Sequence, residues 1–126
     1  MNSFLHTELT DKILSCAISV HRELGPGLTE YSYQAALALE MEAKPLRFMQ
    51  EPPLTVRFRD TVVGWHRPDF IVEELVVVEL KAADRLDPVF TKQVLTYLRV
   101  SGLKVGLLLN FNVASMASHG IKRLAL

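Results

Sequence analysis

The chain reads as a mixed α/β protein, with one mixed β-sheet flanked by helices. Three observations predict this. Two stretches of helical periodicity precede Pro45, β-type alternation and short apolar runs follow it, and a strand–helix–strand order closes the chain. With 126 residues, a single domain spanning 1–126 is expected. No repeat, linker or low-complexity tract divides it.

Each element has a local cause. Thr10 is suited to cap a helix that starts at Asp11, and Ile13, Ala17, Val20 and Leu24 recur along one face. Gly25-Pro26-Gly27 stops it. Thr29 is the next cap, with Glu30 in the dipole-favoured first turn of a helix that ends before Pro45. Leu54, Val56 and Phe58 alternate with Thr55, Arg57 and Arg59, the pattern of a strand with one wet face. "VVGWHRPDFIV" and "LVVVELKA" follow as two further strands of an antiparallel set, joined by a turn at Glu73-Glu74. Asp87-Pro88 gives an N-cap and a proline at the first helical position, and Gly102 ends that third helix. "LKVGLLLNF" is a strand-length run, and a last short strand is expected in "IKRLAL". A helix between two strands implies a right-handed crossover and a parallel pair.

The totals narrow the function classes. Formal net charge is zero, so a large non-specific affinity for nucleic acid is not written into the whole chain, although a local basic cleft is compatible with it. The one cysteine, Cys16, sits in an apolar helical stretch and reads as core. No intramolecular disulfide can form. "MNSFLHTELT" lacks the pattern of a signal peptide, and no apolar run reaches membrane-span length, so a cytoplasmic protein with no membrane partner is expected.

The feature that calls for explanation is "VVVELKA". Glu79 and Lys81 interrupt the most apolar strand and share one face, while Val78 and Leu80 share the other. A turn centred near Glu74 sets Asp69 across from Glu79, with side chains roughly 5 Å apart. Two carboxylates that close repel, and folding alone gains nothing from them. A divalent cation removes the repulsion, and carboxylate and backbone oxygens are the hard ligands magnesium takes. The ammonium of Lys81 then stands where it can hold a water or stabilise charge on a phosphoryl group. The competing reading is a solvated strand face, which a Glu-x-Lys pair usually marks. The third helix shifts the balance. Phe90, Gln93 and Tyr97 form one stripe on it, and a crossover helix packs back on the sheet, so that stripe is expected over the carboxylates. Glu30 is explained by the helix dipole, or as a further acidic group at a second metal or its water shell.

Together these residues resemble the PD-(D/E)XK nuclease superfamily. Pro68-Asp69 and Glu79-x-Lys81 supply its pattern, and Gln93-x-x-x-Tyr97 is similar to the additional motif of the RecB-type branch. The whole chain resembles the small bacterial GxxExxY proteins placed in that superfamily. Gly27, Glu30 and Tyr33 lie at the naming spacing, and "HRELGPG", "QVLTYLRVSGLKVGLLLNF" and the closing "IKR" add to the likeness. The resemblance implies a restriction-endonuclease-like fold and Mg²⁺- or Mn²⁺-dependent cleavage of nucleic acid, DNA or RNA. It implies Asp69, Glu79 and the Leu80 carbonyl as metal ligands, Lys81 as the group that positions the attacking water, Glu30 near the metal, and Gln93 and Tyr97 orienting the site. One position departs: relatives often carry histidine where this chain has Phe90. That departure motivates an alternative, a catalytically weak accessory or binding module. A third reading is an interaction protein whose polar cluster only forms salt bridges. A chain this small offers little groove for a duplex, so a homodimer is compatible with it.

Other residues carry less. No two of His6, His21, His66 and His119 have zinc-site spacing. His66 is expected on the strand face opposite Asp69 if pairing is regular. Trp65 reads as core or as an interface anchor. Arg57, Arg59, Arg67 and Arg99 are candidate phosphate contacts whose single occurrence reads as solvated surface.

Overall fold

A computed structural model describes residues 5–126, so the reading of the first ten residues as lacking a signal peptide lies partly outside the described residues. Helix α1 (Thr7–Leu24) and helix α2 (Glu30–Ala43) come first. Strand β1 (Phe48–Gln50), the pair β2 (Leu54–Phe58) and β3 (Thr61–His66), and strands β4 (Phe70–Val72) and β5 (Val76–Lys81) follow. Helix α3 (Pro88–Ser101), strand β6 (Val105–Asn110), a π-helical turn at Met116–Gly120 and strand β7 (Ile121–Ala125) complete the order. The main sheet has five strands in the order β1-β4-β5-β6-β7, and β2 and β3 form a separate two-stranded ribbon. The β5–β6 pair is parallel and the other main-sheet pairs are antiparallel. The fold class is the mixed sheet flanked by helices that the sequence predicts.

A parallel pair needs cover on both faces, and this sheet has it. On one face, Val76, Val78 and Leu80 of β5 and Val105, Leu107 and Leu109 of β6 pack with Ile13, Cys16, Ala17, Tyr33, Leu37 and Met41 from α1 and α2. On the other, Val77 and Ile71 meet Tyr97 and Leu98 of α3. Helix α3 lies close to β6 at Gly106, where a Cβ would stand 2.7 Å from Val94 Cγ1.

The sequence places most boundaries well. Thr29 caps α2 and Asp87 caps α3, whose C-cap is Gly102 at φ 78. Four expectations need correction. Helix α1 starts at Thr7, not Asp11, and Thr10 donates its hydroxyl to the Thr7 carbonyl inside the helix rather than capping it. Strand β1 is new; three residues before Glu51-Pro52-Pro53 are too few for alternation to show. "VVGWHRPDFIV" is two strands, because the chain leaves β3 after His66 and enters β4 only at Phe70. Pro68, which has no N–H to give a ladder, sits in the break. The strand at Leu54–Phe58 therefore pairs with β3 alone and stays out of the main sheet.

The β4–β5 turn is tight. Glu73 and Glu74 both have positive φ, 52 and 59, and the Leu75 N–H closes on the Val72 carbonyl (3.0 Å) within a three-residue connection between the paired Val72 and Val76. The side chain of Glu73 compensates by accepting the Arg47 backbone N–H (2.7 Å) and guanidinium (3.1 and 3.3 Å). Those bonds hold its carboxyl below the usual range and lock β1 against the hairpin.

Candidate active site

The turn fixes the register, and the register builds the site. Phe70 faces Val78 and Val72 faces Val76; continuing that ladder by one position sets Asp69 opposite Glu79. Each carboxylate holds the backbone at the other's strand. The Asp69 N–H donates to Glu79 Oε1 (3.1 Å), and the Leu80 N–H donates to Asp69 Oδ2 (2.8 Å). Lys81 Nζ lies 3.6 Å from Glu79 Oε2. Glu79 is only 5% exposed, which rules out the solvated-face reading of this Glu-x-Lys pair.

A buried carboxylate beside another carboxylate is costly to ionise. Burial, and then the charge of Asp69, push the Glu79 carboxyl up to about 8. Asp69 is also raised, first by burial; the Leu80 N–H pulls it down, while Glu30 and Glu51 add to the rise. The two acids act as a pair that retains a proton near neutral pH unless positive charge replaces it. Tyr97 is raised too, by burial and then by Glu79 and Asp69, so its hydroxyl stays neutral.

The α3 stripe meets this pair. Gln93 Nε2 donates to Tyr97 Oη (2.9 Å), and the ammonium of Lys81 sits over the Phe90 ring, 4.7 Å from its centre. Lys81, Phe90 and Gln93 line one cavity. Phe90 thus holds Lys81 through its ring face, where a histidine would present a ring nitrogen.

Helix α2 approaches from the other side. Glu30, its first residue, is exposed and bears electrostatically on Asp69. Gln34, one turn on, reaches the Asp69 carbonyl (3.5 Å). The Gly-x-x-Glu-x-x-Tyr spacing has a local explanation. Gly27 adopts φ 100, which favours glycine. The Tyr33 hydroxyl donates to the Gly25 carbonyl (2.6 Å) and accepts the Leu28 N–H (3.1 Å), and its ring stacks on Phe111 at 4.6 Å. The tyrosine anchors the loop that delivers Glu30.

Three neighbours were missed. Gln34 shares a helix face with Glu30 at i, i+4, a signal open to reading. Glu51 follows β1 at φ 51, its N–H bonded to the Asp69 carbonyl (2.9 Å), and had no sequence signal. His66 is exposed but lines the cavity with Lys81 and Gln93 and stands edge-to-face on Tyr97 (6.0 Å). The break after β3 voids the regular pairing that would place it elsewhere. Trp65, read as core or interface anchor, is 59% exposed.

The donor set suits a hard divalent cation. Two adjacent carboxylates with raised pKa supply oxygen, and the only cysteine is buried in the core on the far face. Among the described residues, no group of three or more His, Cys, Asp or Glu side chains is arranged to hold a metal ion. A cation here would take its remaining ligands from carbonyls and water, as magnesium commonly does.

A mixed sheet flanked by helices, with an acidic pair and a lysine where β4 begins and β5 ends, is consistent with a restriction-endonuclease-like fold. The family model of the PD-(D/E)XK nuclease superfamily matches residues 7–124, and the chain belongs to that superfamily. No curated protein and no solved structure matches the chain. No helix among the described residues is long and apolar enough to cross a membrane.

Proposed function

We propose that this protein is a divalent-metal-dependent nuclease that hydrolyses phosphodiester bonds of nucleic acid. The observation that carries the proposal is the reciprocal pair Asp69–Glu79 with Lys81 alongside. Its likeness to the GxxExxY group supports the same reading. Mg²⁺ or Mn²⁺ would be held by Asp69, Glu79 and the Leu80 carbonyl, with Glu30 near its water shell. When bound, such a cation lowers the pKa of water and neutralises phosphate charge.

The chain's own groups do the rest. Lys81, fixed between Glu79 and the Phe90 ring, positions a water in line with the scissile bond. That water gives up a proton to solvent as its oxygen bonds to phosphorus, and the bond from phosphorus to the 3′ oxygen breaks. The leaving oxygen takes a proton from solvent, giving a 3′-hydroxyl and a 5′-phosphate. Gln93 and the neutral Tyr97 orient a non-bridging phosphate oxygen by hydrogen bonds. The test is incubation of pure protein with single- and double-stranded DNA and RNA in Mg²⁺ or Mn²⁺. Cleavage that disappears in Asp69→Ala and Lys81→Ala supports the proposal, and cleavage that survives both belongs to a contaminant and removes it.

Phe90 favours a second reading, a nuclease-fold module that binds nucleic acid or protein but turns over weakly. A phenylalanine transfers no proton. Robust wild-type cleavage rejects this reading, and Phe90→His raising a slow rate supports it.

A further inference from the structure

The nuclease reading leaves open how a substrate reaches the acidic pair. Four of the surface hollows among the described residues differ in their walls. One of about 230 Å³ includes Glu73 and Glu74, and one of about 590 Å³ includes Asp11 and Glu40. The other two have no carboxylate among the described residues that line them. The first, about 460 Å³, opens beside the site and is walled by His66, Lys81, Phe90, Lys92, Gln93 and Thr96. The second, about 490 Å³, lies farther along α3 against the ribbon, with Arg57 and Arg99 in its walls.

These two hollows are neighbours. Arg99 Nη2 donates to Thr96 Oγ1 at 3.1 Å, and Thr96 lines the first hollow while Arg99 lines the second. Lys92, Thr96 and Arg99 recur at i, i+4 and i+7, one stripe of α3. Lys92 and Arg99 are exposed and stand about 10 Å apart along the helix axis. Lys81 is ion-paired with Glu79, so the positive charge comes from Lys92, Arg99 and Arg57. In a chain of zero net charge, these three along walls with no described carboxylate are a local concentration of positive charge. Its inner end has two rings. His66 is braced on Tyr97 and Phe90 lies under Lys81.

We propose that this groove, between α3 and the β2–β3 ribbon, is the track of a single nucleic-acid strand, with one unpaired base seated by His66 and Phe90 beside the scissile phosphate. The inference rests on the nuclease reading and adds the substrate class. Cations along a groove follow a phosphate backbone, and rings take base faces without regard to sequence. A duplex hides its base faces in the stack and offers them only when a nucleotide is extruded. In this account Phe90, which cannot transfer protons, contributes a stacking face.

The test is fluorescence anisotropy of the full chain with labelled DNA and RNA strands and with the blunt duplex of the same sequence, in Ca²⁺. A strand is expected to bind at least about tenfold more tightly than the duplex. Lys92→Glu/Arg99→Glu, folded by circular dichroism, is expected to weaken strand binding about tenfold or more, and Phe90→Ala and His66→Ala severalfold. Equal affinity for strand and duplex, or strand binding untouched by the charge reversal, overturns the proposal. So does a dimer that the same charge reversal dissociates, since a second copy would then occupy the groove. The outcomes separate the two readings. Cleavage lost in Asp69→Ala but indifferent to the groove variants sinks the groove alone, whereas groove-dependent strand binding by a protein that never cleaves sinks the nuclease alone.

Discussion

On one face of β5, Val76, Val78 and Leu80 lie fully buried under α1 and α2. On the other, Val77 gives way to Glu79 and Lys81 beneath α3. The two faces belong to one strand and are similarly dry, yet one is made by removing apolar surface from water and the other by removing charge from it. The first gains free energy by area. The second costs free energy unless each charge finds a partner. Glu79 has three neighbours in that sense: the Asp69 N–H, the Lys81 ammonium and the repelling Asp69 carboxylate. The contrast teaches that the acidic face is held in place by the apolar face and is itself a stability liability without a cation.

The contrast breaks most visibly in activity. Lys81→Ala should cost at least about 100-fold in cleavage rate, as loss of a preorganised charge at a reacting oxygen does, with Asp69→Ala at least as severe. Asp69→Ala should leave the melting temperature near wild type, because the repelling carboxylate goes together with the bond from the Leu80 N–H, whereas Lys81→Ala should lower it at pH 8, because Glu79 loses its cation. Rate against thermal stability, measured on the same preparations, separates chemistry from folding.

Stability should respond in opposite senses on the two faces. Leu80→Ala removes a fully buried side chain and should destabilise by about 2–5 kcal/mol in urea unfolding. Glu79→Gln should stabilise the metal-free protein at pH 8. The sign follows from linkage. A carboxyl raised to about 8 in the fold holds its proton more tightly than the unfolded chain does. Its contribution is full below the ordinary carboxylate pKa and is lost as pH climbs towards 8. The advantage of Glu79→Gln should therefore grow across that window and vanish below about pH 4.

Smaller effects test the frame. Gly106→Ala drives a methyl against Val94 and should cost about 1–3 kcal/mol. Glu74→Gly relieves a left-handed residue in the β4–β5 turn and should stabilise by about 1 kcal/mol. Both are read by thermal or denaturant midpoints.

The acidic face was legible in the sequence because its geometry is local. Strand period and one turn position suffice to put Asp69 across from Glu79, and the observed ladder has that register. Gln93 and Tyr97 followed from helix period plus the crossover. What escaped was set by tertiary context. Strand β1 is three residues long and exists because Arg47 and Glu73 clasp it to the hairpin. The ribbon's departure from the sheet depends on the break after His66, where Pro68 removes a ladder bond, and that break brings His66 to the cavity. Glu51 reaches Asp69 only through a left-handed backbone that nothing in Glu51-Pro52-Pro53 specifies.

The central claim, that Asp69 and Glu79 form a cation site, is tested most directly by calorimetric titration of the wild type and Glu79→Ala with Mn²⁺ at pH 8. A saturable heat in the wild type that is absent from Glu79→Ala, with protons released as the cation displaces the one the pair retains, is the predicted result. No saturable heat in the wild type, or the same heat in both proteins, would contradict it.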